Sequence, residues 1–543
     1  MTTILPGKGV EFRVWAPKHR AVEVVFEEGS VKLTADDRGY FAGVAESARA
    51  GTLYRFKLGD DDYLYPDPAS RFQPAGPHGP SQVIDPSAFE WTDDAWPGLK
   101  PEGHIVYELH IGTFTPEGTF EAARAQLEEL AAVGITVIEL MPIAEFSGRW
   151  GWGYDGVDLF APTHLYGSCD DVRRFIDTAH RLGLGVILDV VYNHLGPDGN
   201  YLKGFADDYF TDRFKNDWGE AINFSSGPVR DFYLANAAYW VKEFHFDGLR
   251  LDATQDVQDL SPEHILAAMT KHVRKAAGDR SVYFVAENEP QNSRLVRPHD
   301  VGGYGIDALW NDDFHHSAQV AISGRNEAYY TDYLGSPQEF LSAAKFGYLY
   351  QGQRYKWQKN PRGTAALDLE PSNFITFLQN HDQVANSAYG ERPNLLTGPA
   401  MYRAMSALLL LSPGTPMLFQ GQEFGATTPF FYFCDHAGEL CDQVDKGRKK
   451  FLSQFRSLAQ PELQKVVVHP GDNQTFTRSK LDFGEREKNA KIYQLYKDLI
   501  RLRREDPVLR AHRRHAMDGA VLCEHAFLFR YFGGEWGDRL LIV

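Results

Sequence analysis

Four short apolar runs each end in groups able to do acid–base or nucleophilic chemistry. GLRLDA (248–253) carries Arg250 and Asp252, VAENE (285–289) carries Glu287 and Glu289, QNHD (379–382) carries His381 and Asp382, and DVVYNH (189–194) carries Asn193 and His194. A lone aspartate after a strand is most often a helix cap or a turn residue. Four such ends in one chain argue for a shared site. Two carboxylates about 5–5.5 Å apart can open a glycosidic bond with retention, one attacking the anomeric carbon and the other protonating the leaving oxygen. Asp252 suits the nucleophile. Arg250, two residues earlier, points to the same face of the strand, and a guanidinium at that distance holds a carboxylate ionised. Glu287 suits the general acid/base, because it closes a strand of Val, Tyr and Phe whose apolar surround favours the protonated form. Asp382 is the third carboxylate, expected to face the developing oxocarbenium charge. His381 and His194 can donate hydrogen bonds to sugar hydroxyls, with Asn193 beside them. No His-x-x-x-His pair or cysteine cluster offers a metal site, so neither metal nor cofactor is expected.

These groups need a scaffold that gathers strand ends. From about residue 104 the chain alternates strands with helices. Strands are expected at 104–112, 135–143, 185–194, 247–253, 281–289, near 308–316, at 373–382 and at 415–425. Several are continuous apolar runs, as in parallel strands covered on both faces. Helices are expected at 119–134, 171–183, 229–244 and 262–278, and a last one at 489–506 that buries Ile492, Leu495, Leu499 and Leu502. Eight βα units predict an α/β fold, a (β/α)₈ TIM barrel, with the site at the C-terminal ends of its strands. A doubly wound sheet is the alternative, disfavoured because no G-x-G-x-x-G follows the first strand.

Before the barrel, GVEFRVWAP (9–17), AVEVVFE (21–27) and GTLYRFKLG (51–59) alternate as half-buried strands do. The Pro- and Gly-rich stretch 65–89 reads as a linker. The expected organisation is an immunoglobulin-like β-sandwich over 1–90, a catalytic barrel over 91–510, and a partial β module over 511–543 that stops in mid-strand.

With 543 residues the chain can bury several cores. Its net charge of −17 argues against nucleic acid or an anionic membrane as partner, since both need a basic footprint. Acidity by itself is usually a solvated surface. Four cysteines in so long a chain suggest a reducing compartment. The first residues, MTTILPGKGVEFRVW, have no basic and apolar regions of a signal peptide. The expected location is the cytoplasm. Aromatic residues make up 13%, which suits a site that packs on the apolar faces of pyranose rings.

The four strings, in this order on these strands, resemble the signature regions of the α-amylase superfamily. WGYDGVDLFAPTHLYG (152–167) resembles the loop after its second strand, which implies that Tyr154 stacks under the sugar at the cleavage point. The resemblance implies the same roles for Asp252, Glu287 and Asp382. Narrower features are similar to malto-oligosyltrehalose trehalohydrolases: the FRVWAP opening, YELHIGTFTPEGTF (107–120), NDDFHH (311–316), QNHDQVAN (379–386) and ATTPFFYFCDH (426–436). That family cleaves the α-1,4 bond next to a terminal trehalose, so malto-oligosyltrehalose and malto-oligosaccharides are the implied ligands and trehalose the implied product. The resemblance places Asp312, Asp313, His315, His316, Gln383 and Asn386 in the substrate cleft, with Arg250 and Gln255 beside it. For NDDFHH the bland reading is a capped strand end with solvated charges. Gln255 stands where many relatives carry His, and Asn288 follows the acid where a small hydroxyl or another polar residue is commoner. The segment 195–228 leaves little room for an inserted domain, so no required calcium is expected. A monomer or weak homodimer is expected. Two other readings share the chemistry: a glucan branching transferase and a glucan-binding protein without catalysis.

Overall fold

The computed structural model describes residues 1–216, 219–511 and 513–543. Residues 2–82 build two antiparallel sheets, one containing Gly9–Trp15 and Tyr40–Ala45, the other Val22–Phe26 and Leu53–Leu58. Their alternation makes the core: Val10, Phe12 and Val14 pack on Val22, Val24, Tyr54 and Phe56, while Arg13 faces outward. The stretch expected as a linker is partly built into this unit. Leu64–Tyr65 and Ser81–Gln82 both pair with Leu53–Leu58, and Asp67 accepts a hydrogen bond from the Tyr54 hydroxyl at 2.8 Å. Strands of two residues are too short for periodicity to register.

Eight parallel strands close into a barrel: β1 (Val106–Leu109), β2 (Val137–Leu140), β3 (Gly185–Val190), β4 (Gly248–Leu251), β5 (Tyr283–Ala286), β6 (Ala308–Trp310), β7 (Phe374–Phe377) and β8 (Thr415–Phe419). All eight lie within the segments expected as strands. β8 pairs back onto β1, Met417 opposite Val106, which rules out an open doubly wound sheet. Within each strand alternate residues point inward. The lower interior is apolar, with Val106, Val137, Ile187, Val285, Ala308, Ile375 and Met417 in one cluster. Two residues further along, the inward positions become Glu108, Glu139, Asp189 and Arg250, all buried. Gly248 is required between β4 and β5, since a Cβ there would stand 1.8 Å from the Tyr283 carbonyl oxygen. That close approach sets the spacing of the two strands that carry Asp252 and Glu287.

The helix expected at 119–134 forms as two pieces, Phe120–Arg124 and Leu127–Val133, with Thr119 capping the start and Gly134 ending it at φ 103°. Two further helices matter for the site: α1 (Asp312–Ser323), capped by Asn311, and α2 (His381–Ala385), capped by Asn380. The final helix α3 (Ala490–Glu505) packs by a different stripe from the one expected. Tyr496, Ile500 and Arg503 are buried, Ile492 and Leu499 partly so, and Leu502 is exposed. Arg503 turns inward because it donates to the carbonyls of Leu410, Ser412 and Gly414 just before β8.

At the opposite end of the barrel, His180 bridges Asp93 at 2.8 Å and Asp247 at 2.9 Å, with Trp96 stacked on its ring and donating to Asp247. This fastens the segment ahead of β1 under the barrel. After α3, Met517–Cys523, Ala526–Tyr531 and Arg539–Ile542 form an antiparallel sheet, held by Phe527 stacking on Phe340 and by the Tyr531 hydroxyl donating to the Leu411 carbonyl at 2.6 Å. Among the described residues, no helix is long and apolar enough to cross a membrane.

Candidate active site

β4 and β5 deliver Asp252 and Glu287 one residue beyond their last paired positions. The backbone N–H of Glu287 donates to the Leu251 carbonyl at 3.0 Å, and that of Asp252 to the Val190 carbonyl at 3.2 Å, so both ends are pinned to neighbouring strands. Ala253 then takes a left-handed conformation, φ 38°, an uncommon and costly state for a residue with a Cβ. In that turn its N–H donates to Glu287 Oε2 at 3.1 Å.

Arg250 organises the centre. It is fully buried, and its guanidinium lies 4.0 Å from the Trp310 ring centroid. Nη1 donates to Asp252 Oδ1 at 2.9 Å and to Asp189 Oδ2 at 2.7 Å, while Nη2 donates to Glu287 Oε2 at 2.7 Å. Asn193 donates to the other oxygen of Asp252 at 2.7 Å. Burial raises Glu287 to about 8, Arg250 opposes this, and Asp252, Asp382 and Asp312 add to it. Burial likewise lifts Asp189 to about 6 against the pull of Arg250. Burial thus favours the protonated form of Glu287, while Asp252 lies between a guanidinium and an amide.

The other expected residues fall into three groups. Tyr154, His194, Gln255, Asp312, His381 and Asp382 surround this centre. The Tyr154 hydroxyl donates to Asp189 at 2.6 Å, and its ring stacks on His381 at 5.1 Å. His194 Nε2 sits 3.0 Å from the Tyr154 carbonyl oxygen. Gln255 Oε1 accepts from the Glu289 N–H at 3.4 Å, and Asn288 is buried, donating to the Thr254 hydroxyl at 3.1 Å. Asp382 is 43% exposed, the most open of the three catalytic candidates. Asp312 is raised to about 7 by burial, against the pull of Arg362, whose Nη2 lies 3.5 Å from it.

A second group ties α2 to its neighbours. Gln383 Oε1 accepts from the Tyr330 hydroxyl at 2.6 Å and the Tyr329 hydroxyl at 3.1 Å, and Asn386 Oδ1 accepts from Arg448 at 2.9 Å. The third group lies inside the protein. Asp313 is fully buried and accepts from Gln291, the Tyr333 hydroxyl, and the backbone N–H groups of Leu349 and Tyr350. His315 and His316 are 1% and 3% exposed, and burial pushes both imidazoles toward the neutral form. NDDFHH is therefore a capped helix start rather than a strand end, and only Asp312 of its four named residues is turned toward the centre.

The alpha-amylase catalytic-domain family matches residues 84–234 and 206–512. The chain is 41% identical over 529 residues to the malto-oligosyltrehalose trehalohydrolase of Deinococcus radiodurans, covering 96% of this chain and 86% of that one. The chain belongs to the malto-oligosyltrehalose trehalohydrolase family. It is also 41% identical over 502 residues to the family's Saccharolobus solfataricus member, covering 92% of this chain and 85% of that one. A crystal structure of an assigned alpha amylase from Salmonella typhimurium superposes with a TM-score of 0.91 at 37% identity, covering 98% of this chain and 90% of that one.

In this trehalohydrolase-family chain the sequence pattern does not mark several residues of the site. Glu108 accepts from both the backbone N–H and Nδ1 of His381. Burial opposes charge on this imidazole, but Glu108 outweighs it and lifts His381 to about 9. Glu139 is buried beside Glu108 with neither carboxyl oxygen partnered in the protein, and desolvation drives it well up toward its neutral form. Arg362 lies far along the chain, yet it donates to Glu289 at 2.7 Å and faces Asp312. A lone Glu inside VYEL and VIEL was the available signal, because burying a charge in a strand is expensive unless it has a use. Among the described residues no group of three or more His, Cys, Asp or Glu is arranged to hold a metal ion.

Proposed function

We propose that the chain is a retaining α-glucan hydrolase that cleaves the α-1,4 bond next to the terminal trehalose of malto-oligosyltrehalose. The observation that carries the retaining chemistry is the single guanidinium shared by Asp252 and Glu287. Two carboxyls on neighbouring nitrogens of one fork match the close spacing of a retaining pair, about 5–5.5 Å, rather than the roughly 6.5–9.5 Å of an inverting pair. The substrate rests on membership of a family whose relatives carry the trehalohydrolase name.

In this reading Asp252 attacks the anomeric carbon while Glu287 passes its proton to the glycosidic oxygen, and trehalose leaves as the alcohol. The malto-oligosyl group is then esterified to Asp252. Glu287, now ionised, takes a proton from water, whose oxygen displaces Asp252 from the anomeric carbon and restores both groups. Arg250 and Asn193 hold the nucleophile, and Asp382 faces the positive charge that develops on the ring. Tyr154, held by Asp189, presents its free face to the sugar. Gln255, Asp312, His194 and His381 complete the wall.

Incubation with maltotriosyl trehalose and, separately, with maltopentaose tests the assignment. Prompt trehalose release from the first and slow cleavage of the second are expected. Equal rates would leave a plain amylase. Unchanged reducing ends with new α-1,6 linkages would identify a branching transferase instead.

A further inference from the structure

The peptide unit between Asp252 and Ala253 engages partners on both sides of the centre. Its carbonyl accepts from Asn193 Nδ2 at 3.1 Å, the group that also donates to Asp252 Oδ2 at 2.7 Å. Its N–H points toward β5 and donates to Glu287 Oε2 at 3.1 Å. A peptide unit is planar and stiff, so one rigid plate links the support of the nucleophile to the side chain of the acid.

Holding the plate in this orientation requires a strained residue. Ala253 stands at φ 38° and ψ 54°, in the left-handed region that a Cβ disfavours. Such a conformation persists only where its surroundings over-determine it, and it gathers where function needs it. Here Thr254 supplies the constraint. Its N–H donates to the Glu287 carbonyl at 3.0 Å, its hydroxyl donates to the same oxygen at 2.5 Å, and Asn288 donates to that hydroxyl at 3.1 Å. Residues 253 and 254 therefore grip Glu287 twice, once at the side chain and once at the backbone.

The grip makes the two oxygens of Glu287 unequal. Oε2 accepts from Arg250 Nη2 at 2.7 Å as well as from Ala253. Among the described residues no donor engages Oε1, and the side chain is 23% exposed. Arg250 and Asp252 on β4, Asp382 on α2 and Asp312 on α1 are the charged and titratable groups that face this carboxyl. In a protonated carboxyl the carbonyl oxygen is the better acceptor, so an oxygen already holding a guanidinium and an amide is the poorer seat for the proton.

We infer that the Ala253 N–H is a positioning group, which with Arg250 confines the catalytic proton of Glu287 to Oε1, the oxygen left for the substrate. The inference rests on the reading of Glu287 as the acid. In the first step the proton passes from Oε1 to the glycosidic oxygen as that oxygen's bond to the anomeric carbon breaks and Asp252 bonds to the carbon. In the second step Oε1 takes a proton from the attacking water. Oε2 keeps both donors throughout.

An ester in place of the amide removes this donor and little else. Ala253→lactic acid, introduced into the full chain by nonsense suppression, keeps the methyl group and deletes the N–H. Cleavage rates on maltotriosyl trehalose are then followed across pH. The alkaline limb is expected to move up by roughly 0.5–1 pH unit, because a donor that favours the charged form is lost. At neutral pH kcat/KM is expected to fall about tenfold, because the proton is no longer confined to the oxygen that meets the substrate. Thr254→its α-hydroxy acid deletes the N–H given to the Glu287 carbonyl instead, and should leave the limb in place. A limb that stays put in the Ala253 ester, or that moves equally in both esters, overturns the inference. Should the ester chain fold poorly, Ala253→Val decides, since a β-branched residue is driven out of this conformation and should move the limb the same way. Glu287→Gln in the same series separates the two readings. If it keeps the wild-type rate and limb, Glu287 is not the acid and both readings fall. If it loses the limb while the Ala253 ester leaves it unmoved, only this inference falls.

Discussion

Glu108 accepts hydrogen bonds from both the backbone N–H and the Nδ1 of His381, so a carboxylate on the first barrel strand fixes the imidazole that begins α2. The contact joins residues 273 positions apart and sets the ring on which Tyr154 stacks. Removing the charge by Glu108→Gln is expected to lower kcat/KM about tenfold to a hundredfold, which corresponds to roughly 1.4–2.7 kcal/mol of transition-state stabilisation. The pair also stabilises the fold. His381 has a folded-state value of about 9 against an ordinary 6.5, so its contribution is complete below about pH 6.5 and is lost as pH rises through about 9. Denaturant unfolding of Glu108→Gln and wild type should differ most near pH 6 and converge above pH 9. A constant difference across that range would remove the charge pair as the cause.

In the proposed mechanism Glu287 must hold a proton to act as an acid. With its value raised to about 8, activity is expected to fall on the alkaline side as pH rises through about 8, while Glu287→Gln loses about 10²–10⁴-fold in rate and with it this limb. The stability effect has the same sign as for His381. A carboxyl whose folded value lies above 4.5 favours the fold at low pH, and that advantage declines between about pH 4.5 and 8. The melting temperature of Glu287→Gln relative to wild type should therefore climb across this interval. Thermal scans at pH 5 and pH 8.5 read the difference directly.

Asp313→Ala separates a structural carboxylate from a substrate contact. Four donors converge on Asp313, two of them backbone groups of the segment 349–350. Its loss is expected to cost about 2–4 kcal/mol in urea unfolding and to expose 347–362 to limited proteolysis. A raised KM with unchanged stability would instead make Asp313 a substrate ligand.

His180 offers a check at the far end of the barrel. Burial disfavours its charge, but Asp247 and Asp93 outweigh that and raise it above its ordinary value. Its contribution is complete below about pH 6.5 and lost as pH rises through the raised value. His180→Gln should destabilise more at pH 6 than at high pH, with activity per folded molecule unchanged, as followed by denaturant titration alongside kinetics.

The eight barrel strands were legible because each is buried on both faces and reads as an apolar run. Asp252, Glu287 and Asp382 stood out as candidates because they close those runs, and their catalytic roles stand as proposed. What hid was decided by geometry across the chain. Glu108 and Glu139 occupy inward positions of period-2 strands, which the apolar neighbours on either side conceal. In NDDFHH a capping Asn311 starts a helix, and its 3.6-residue period sends Asp313 into the interior while Asp312 is turned toward the catalytic centre. Arg362 is separated from Asp312 by fifty residues of loop and helix, and only folding brings them together. In α3, a stripe of Leu and Ile masks Arg503, whose burial is stabilised by three carbonyls far away in sequence.

That arginine has a consequence for how the chain is divided. The carbonyls it gathers lie immediately before the strand that seals the ring against β1, so α3 acts as a clasp on the seam and not as an appendage. A cut or permutation placed within residues 490–503 would unlatch the whole cylinder, whereas one placed after α3 would sever only the terminal sheet. The last helix is therefore part of the barrel's own mechanics, held by Arg503 near its end and by the Tyr496 hydroxyl, bonded to Tyr402, Ser406 and Gln422, at its middle.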